Sequence, residues 1–267
     1  MLKLRLLTVA CLLPLVLAAM FLLPGVGWQV ALLAFLLVAA HEWSRLAGFG
    51  RVMHAIFLIA VVAGTASLAL IANPGAAGKA CAAVAAHAVY IVSAGFWLVI
   101  VPCWLWLKLK VRNPLALAIA GIVALLPAWL ALAQLQSKPL MLLLLLGVVW
   151  IADTAAYAAG RAVGRHKLAP MISPGKTWEG VGGALTAVTV YALALYLARF
   201  AEQDFIFILA AFLSMTVFSI AGDLFESWLK RGAGVKDSGA ILPGHGGMLD
   251  RLDGVVAALP LAALFFI

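Results

Sequence analysis

The chain is written as long apolar blocks separated by short polar ones. A membrane-spanning helix needs about 20 apolar residues. Nine blocks meet that need, at Leu6–Leu23, Trp28–Leu46, Met53–Ile71, His87–Leu107, Leu115–Ala133, Leu140–Ala159, Val181–Ala198, Phe205–Leu229 and Leu249–Ile267. The weakest part of the pattern is Asn73–Ala86, whose Gly-Ala-Ala-Gly-Lys composition can hide part of a helix. The opening, Met1-Leu2-Lys3-Leu4-Arg5 before an apolar run, imitates a signal peptide. The rest of the chain is equally apolar and no cleavage site stands out, so the run reads as a retained first span. No internal repeat or low-complexity linker interrupts the pattern. It predicts an all-α integral membrane protein of about nine transmembrane helices, built as one polytopic domain over residues 1–267. Residues 1–135 form the N-terminal helices. Residues 136–267 carry two longer polar loops, 160–180 and 230–249.

Composition supports this. The 267 residues are 66% hydrophobic and only 10% charged, against about 25% charged in a soluble domain. So few charges cannot cover a soluble surface. The formal net charge is +8, but the basic residues lie between apolar spans. They therefore read as topogenic charge, with attraction to anionic lipid as a compatible second role, and not as a nucleic-acid footprint. With the N-terminus inside, one side receives Lys3, Arg5, Arg45, Arg51, Lys108, Lys110, Arg112, Arg161, Arg165, Lys167, Lys176, Lys230, Arg231, Lys236 and Arg251. The other receives Lys79, Lys138 and Arg199. This asymmetry predicts a cytoplasmic N-terminus and a periplasmic C-terminus. Cys11, Cys81 and Cys103 are scattered and odd in number, which fits neither a disulfide framework nor a zinc site. They read as small apolar packing residues.

The chain has ten acidic residues. Glu202 and Asp204 fall in a short outer loop, and Glu42 ends the second span. The remaining seven, Asp153, Glu179, Asp223, Glu226, Asp237, Asp250 and Asp253, all lie in the C-terminal half and, by this topology, near the cytoplasmic face. Asp153 sits inside an apolar span, where a carboxylate is costly unless paired or wet. It is either a partner for a nearby Arg such as Arg161 or the polar wall of a site. Asp223, Glu226 and Lys230 are spaced i, i+3, i+7 and share one helix face. The two acids approach the C-terminal end of that helix, where negative charge opposes the dipole. A bound cation would compensate them. Asp250 and Asp253 begin the last span, where capping explains part of their presence. Carboxylates from two facing helices suit Mg²⁺, which takes one or two of them plus substrate phosphate oxygens. Asp223 and Asp250 are the candidate ligands.

The first long loop runs from Gly160 through Gly164, Arg165, His166 and Lys167 to Ser173-Pro-Gly-Lys176-Thr177-Trp-Glu179-Gly180. Its Gly-Lys-Thr is not a P-loop, because Pro170 occupies the place of the first glycine and no strand is expected before it. A basic loop with glycines that ends at a helix N-terminus is still a sensible phosphate cradle. The second loop holds Gly232, Gly234, Lys236, Asp237, Ser238 and Gly239, then Pro243-Gly-His245-Gly246-Gly247. It does not form G-x-G-x-x-G, since Asp237 takes the last place. Its glycines let backbone N–H groups approach an anion, and Lys236 and His245 add charge or donors. His245 can equally be a turn residue satisfied by backbone.

The stretch Ser227-Trp-Leu-Lys230-Arg231, four residues, Lys236-Asp237-Ser-Gly239, two residues, Leu242-Pro-Gly-His245-Gly246-Gly247-Met-Leu-Asp250-Arg251-Leu-Asp253 resembles the signature of the phosphatidate cytidylyltransferases, with no departure at its defining positions. Asp153-Thr154-Ala-Ala156-Tyr157 and Ser173-Pro174-Gly-Lys176-Thr177-Trp-Glu179-Gly180 are similar to the same family. The resemblance covers about Asp153 to Asp253. Before that, only hydropathy and Glu42-Trp43 match. It implies a multi-pass enzyme of a bacterial inner membrane with its site at the cytoplasmic face, commonly a homodimer, with residues 1–135 as scaffold and possible dimer contact. The implied reaction is attack of phosphatidate on the α-phosphorus of CTP, assisted by Mg²⁺, to give CDP-diacylglycerol and pyrophosphate. Carried onto this sequence, it makes Lys230, Arg231, Arg251 and Asp253 catalytic, and Asp223 and Asp250 metal ligands. Asp153, Ser173, Lys176, Thr177, Glu179, Lys236, Asp237, His245, Gly246 and Gly247 become the binding set. A CTP-dependent polyprenol or phytol kinase, which would release CDP, is the neighbouring reading. The Lys-Arg to Asp-Arg-x-Asp pattern disfavours it. A transporter would place ionisable groups at mid-bilayer in corresponding halves, whereas here they cluster on one side and in one half.

Overall fold

A computed structural model describes residues 2–73, 75, 78–199, 203–241, 244 and 246–267. Glu202 and His245, both singled out above, lie outside the described residues. The chain is an all-α integral membrane protein. Its helices are α1 (Leu2–Leu22), α2 (Gly25–Leu46), α3 (Arg51–Ala72), α4 (Lys79–Gly95), α5 (Val101–Trp106), α6 (Pro114–Leu135), α7 (Pro139–Val163), α8 (Trp178–Leu197), α9 (Phe205–Gly232) and α10 (Leu249–Phe266). Among the described residues, seven continuous helical stretches are long and apolar enough to cross a membrane. The other two expected spans are helical as well. The apolar run of α1 covers Ala10–Leu22, and α10 has 18 residues and carries Asp250, Arg251 and Asp253 in its opening turns.

The fourth expected span begins earlier than its hydropathy suggested. Lys79–Trp106 is one helical stretch, so part of the weak Asn73–Ala86 segment is helix. A π-helical turn, Phe96–Ile100, joins α4 to α5. Pro102 follows it and has no N–H to donate to the preceding turn, which favours a local change of helical register.

A second difference lies in the loop expected at 160–180. Its first residues extend α7 to Val163, and its last open α8 at Trp178. Between them β1 (Lys167–Ala169) and β2 (Ser173–Thr177) form an antiparallel hairpin, with Lys167 opposite Thr177 and Ala169 opposite Ser173. A strand thus does precede Pro170, but it belongs to a three-residue hairpin arm and not to a parallel sheet feeding a phosphate loop.

The core is centred on α6 and α10. Leu125, Leu130, Leu135 and Leu259 are essentially inaccessible, as are Ala257, Ala258 and Ala262. Small residues let helices approach closely where no water drives them together. At Gly222 of α9, an added Cβ would collide with the Asp253 carbonyl oxygen and lie 2.9 Å from Ala257 Cβ. Large apolar side chains such as Val30, Ile59, Leu70, Ile91, Leu98 and Val190 point outward, as a lipid-facing surface requires. Cys11, Cys81 and Cys103 are free and exposed. They are outward-facing residues of the bundle rather than the packing residues expected.

Candidate active site

Alternating helices bring the C-terminal ends of α2, α7 and α9 together with the N-terminal ends of α8 and α10. The chemistry gathers at this end. The face predicted on α9 is real. Lys230 is buried, with Nζ 3.1 Å from Glu226 Oε2 and 2.5 Å from Asp250 Oδ1 of α10. A lysine can sit there because two carboxylates replace its water shell. The other oxygen of Asp250, Oδ2, accepts hydrogen bonds from Ser238 N (2.9 Å), Ser238 Oγ (2.9 Å) and Gly247 N (2.9 Å). Asp250 therefore ties α9, α10 and the loop between them into one unit.

A second pair stands beside the first. Lys176, at the end of β2, places Nζ 2.5 Å from Asp223 Oδ2. Asp223 is within charge range of Asp153 on α7 and of Asp253 on α10, and Lys176 and Arg251 offset the charge of Asp153. Arg161, the partner weighed for Asp153, instead donates to Tyr157 Oη at 2.9 Å. Glu226 feels the charges of Asp253 and Asp250 as well as that of Lys230, and its Oε1 is buried. Five carboxylates from three helices thus converge with Lys176, Lys230 and Arg251.

The hairpin is held in place by residues from the same motif. Thr177 Oγ1 accepts from Gly180 N at 3.1 Å and caps α8. Glu179 accepts from His166 N with both oxygens at 3.2 Å and lies 2.6 Å from His166 Nδ1. Gly160 and Gly164 of the α7 end leave room for Thr177. A Cβ on either would come within 3.0 Å of its Oγ1. Ser173 pairs across the hairpin with Ala169. Arg231 donates through Nε to Ile172 O at 3.4 Å and through a terminal nitrogen to Val235 O at 3.2 Å, bracing the hairpin against the second loop. In that loop Lys236 and Asp237 are exposed, and Gly246 adopts a left-handed backbone (φ 85°) close to Asp250.

The structure therefore brings together Asp153, Lys176, Asp223, Lys230, Asp250, Arg251 and Asp253. Thr177, Glu179 and Arg231 engage the hairpin, and Lys236 and Asp237 sit at the rim. Two participants escaped sequence reasoning, Glu42 of α2 and Ser238, whose hydroxyl lies 3.0 Å from Glu42 Oε2. The available signal was that Glu42 is the single acid of the N-terminal half and closes an apolar span.

The donor set suits a hard cation, with carboxylate oxygens in excess at one corner. The described residues hold no preformed group of three or more metal-type ligands. Mg²⁺ does not require one, since it commonly takes one or two carboxylates and completes its shell with water and phosphate. Asp223 has the more available oxygen. Its Oδ1 lies 3.4 Å from Ser227 Oγ, a long contact, whereas both oxygens of Asp250 are closely engaged.

The family model described as the cytidylyltransferase family matches residues 3–267. The chain is 38% identical over 279 aligned positions to the phosphatidate cytidylyltransferase of Pseudomonas aeruginosa, covering 98% of this chain and 96% of that protein. It is 53% identical over 122 positions to the phosphatidate cytidylyltransferase of Brucella melitensis biotype 1, covering 45% of this chain and 44% of that one. It is 47% identical over 121 positions to the protein of the same name from Staphylococcus aureus, covering 45% and 46%.

Proposed function

Because this chain belongs to the cytidylyltransferase family, we propose that it transfers the cytidylyl group of CTP to phosphatidate at the cytoplasmic face of a bacterial inner membrane. The products are CDP-diacylglycerol and pyrophosphate. The observation that carries this reading is the joining of two Lys–Asp pairs, Lys176–Asp223 and Lys230–Asp250, at one end of the bundle on the residues of the signature.

The chemistry fits the residues. A phosphate monoester has its second pKa near 6, so the lipid phosphate is already largely dianionic at neutral pH. Its oxygen forms a bond to the α-phosphorus, the bond from that phosphorus to the bridging oxygen of pyrophosphate breaks, and pyrophosphate leaves with the electron pair. No strong general base is needed. The barrier is the approach of one polyanion to another, and it is lowered by positioning and by fixed positive charge. Lys176, Lys230, Arg231, Lys236 and Arg251 supply that charge around the carboxylates. Substrate phosphates compete with Asp223 and Asp250 for the two lysines. Mg²⁺, when bound through Asp223 and Asp250, neutralises phosphate charge. A site at the helix ends meets the lipid headgroup and a cytosolic nucleotide at once. The N-terminus faces the cytoplasm, nine helices cross the bilayer, and two copies of the chain associate.

The test is direct. Purified protein in detergent, given phosphatidate and CTP labelled at the α-phosphorus, moves the label into lipid and releases one pyrophosphate per lipid nucleotide, and removal of Mg²⁺ with a chelator abolishes turnover. Release of CDP with label absent from lipid rejects the reading in favour of a CTP-dependent kinase.

A further inference from the structure

Glu42 has no part in the chemistry above, yet its side chain is placed with more constraint than most of those that do. The residue is 1% exposed, and no ion pair to it occurs among the described residues. A buried carboxylate without a cation is costly unless hydrogen bonds replace its water. Here two backbone donors do so, together with a hydroxyl that Glu42 shares with Asp250. Met248 N–H reaches Oε1 at 3.0 Å, Leu249 N–H reaches Oε2 at 2.8 Å, and Ser238 Oγ lies 3.0 Å from Oε2.

Two of those donors open α10. That helix has no side-chain cap at its own N-terminus, so its first N–H groups need an acceptor from elsewhere. Glu42 supplies it, and its charge lies at the favourable end of the helix dipole. The loop is shaped around the same carboxylate. A Cβ on Gly239 would collide with Glu42 Oε1, and one on Gly247 would lie 2.6 Å from both Glu42 oxygens. Ser238 Oγ, with one proton to give, stands between Glu42 and Asp250 Oδ2, 2.9 Å from the latter. The platform beneath is firm. Trp43 donates through Nε1 to Leu117 O at 3.0 Å and packs on Phe225 of α9 with ring centroids 6.1 Å apart.

We infer that Glu42 is a positioning residue for the reaction proposed above, on which this inference rests. Acting through Ser238 and the first turn of α10, it fixes Asp250, Ser238 and Gly247 opposite Lys230. The N-terminal half thereby takes part in catalysis without touching a substrate.

Glu42→Gln tests this, because it keeps the volume and changes only the hydrogen bonding. Both oxygens accept from donors, so the amide must set an NH₂ against an N–H or a hydroxyl. Turnover is expected to fall about 100-fold, the scale set by misplacing a catalytic group by about 1 Å. Ser238→Ala keeps its backbone N–H to Asp250 and is expected to lose less. The double variant should be no worse than Glu42→Gln alone, since both residues act along one path. Trypsin should cut after exposed Lys236 faster in Glu42→Gln than in wild type, with no matching fall in Tm. A filler of space predicts instead that Glu42→Gln stays within threefold of wild type and that loss follows Tm. Near wild-type turnover in Glu42→Gln, additive effects in the double variant, or unchanged cleavage at Lys236 each overturns the inference. Should Glu42→Gln fail to fold, Gly239→Ala, which presses on an intact Glu42, must lower turnover in folded protein, and wild-type turnover there overturns it equally. A wild-type protein that makes no lipid nucleotide overturns the reaction reading, while the cleavage comparison still decides whether Glu42 holds the loop.

Discussion

Asp223 and Asp250 enter the site in different ways, and the difference predicts different failures. Asp223 is a third exposed and paired with Lys176, so Asp223→Asn removes charge at a stability cost of at most about 1 kcal/mol. Asp250 is among the least exposed acids and holds Lys230 with one oxygen while three donors occupy the other. Asp250→Asn leaves Lys230 short of a counter-charge and turns an NH₂ toward a donor, a loss on the order of 3 kcal/mol. Both variants are expected to lose turnover by about 100-fold or more. Raised Mg²⁺ should recover part of the loss in both variants, and less in Asp250→Asn, whose melting curve alone should move clearly downward. Activity against Mg²⁺ and thermal unfolding in detergent check this, and full activity in either variant would reject a shared metal site. Most of these side chains were legible beforehand, because an acid beside an apolar span has no cheap reason to exist. Ser238 and Glu42 were not. Ser238 is an ordinary loop hydroxyl in sequence, and the value of Glu42 depends on donors 206 and 207 residues away.

At the scale of elements, the long helices follow from apolar length, and the sequence located them closely. The hairpin did not show itself. Its arms are three and five residues long, and it stands through Thr177, Glu179 and the room left by Gly160 and Gly164 rather than through any period in the chain. The contact between α9 and α10 also depends on missing methyls, at Gly222 of α9 and at Gly254 of α10, which faces Ser219. Gly222→Ala must push Asp253 and Ala257 away from α9, separating the two helices that carry Asp223, Lys230 and Asp250. It is expected to lower both Tm and turnover. Gly182→Ala in α8 is the matched control, since nothing lies within 4 Å of its added Cβ. That variant should be neutral or gain up to about 1 kcal/mol from helix propensity. Equal behaviour of the two variants would show that the α9–α10 contact is looser than described.

For the whole molecule, the one-sided charge fixes a testable orientation. Lys167 and Lys236 are both exposed and both belong to the end that holds the site. In a background without the exposed Cys11, Cys81 and Cys103, a cysteine at either position should react with an impermeant maleimide in inverted vesicles and resist it in intact spheroplasts. Labelling of either from the periplasm defeats the cytoplasmic site. The cap on α10 also has a meaning in time. Chains emerge N-terminus first, so Glu42 enters the bilayer early and waits for Ser238, Met248 and Leu249 until the last described helix is made. Lys230 waits for Asp250 in the same interval. Until then Glu42 lacks its donors and Lys230 has Glu226 alone, so the nascent bundle has every lysine of the site but not the geometry. A ribosome-bound chain missing that helix is therefore expected to be inactive and poorly stable.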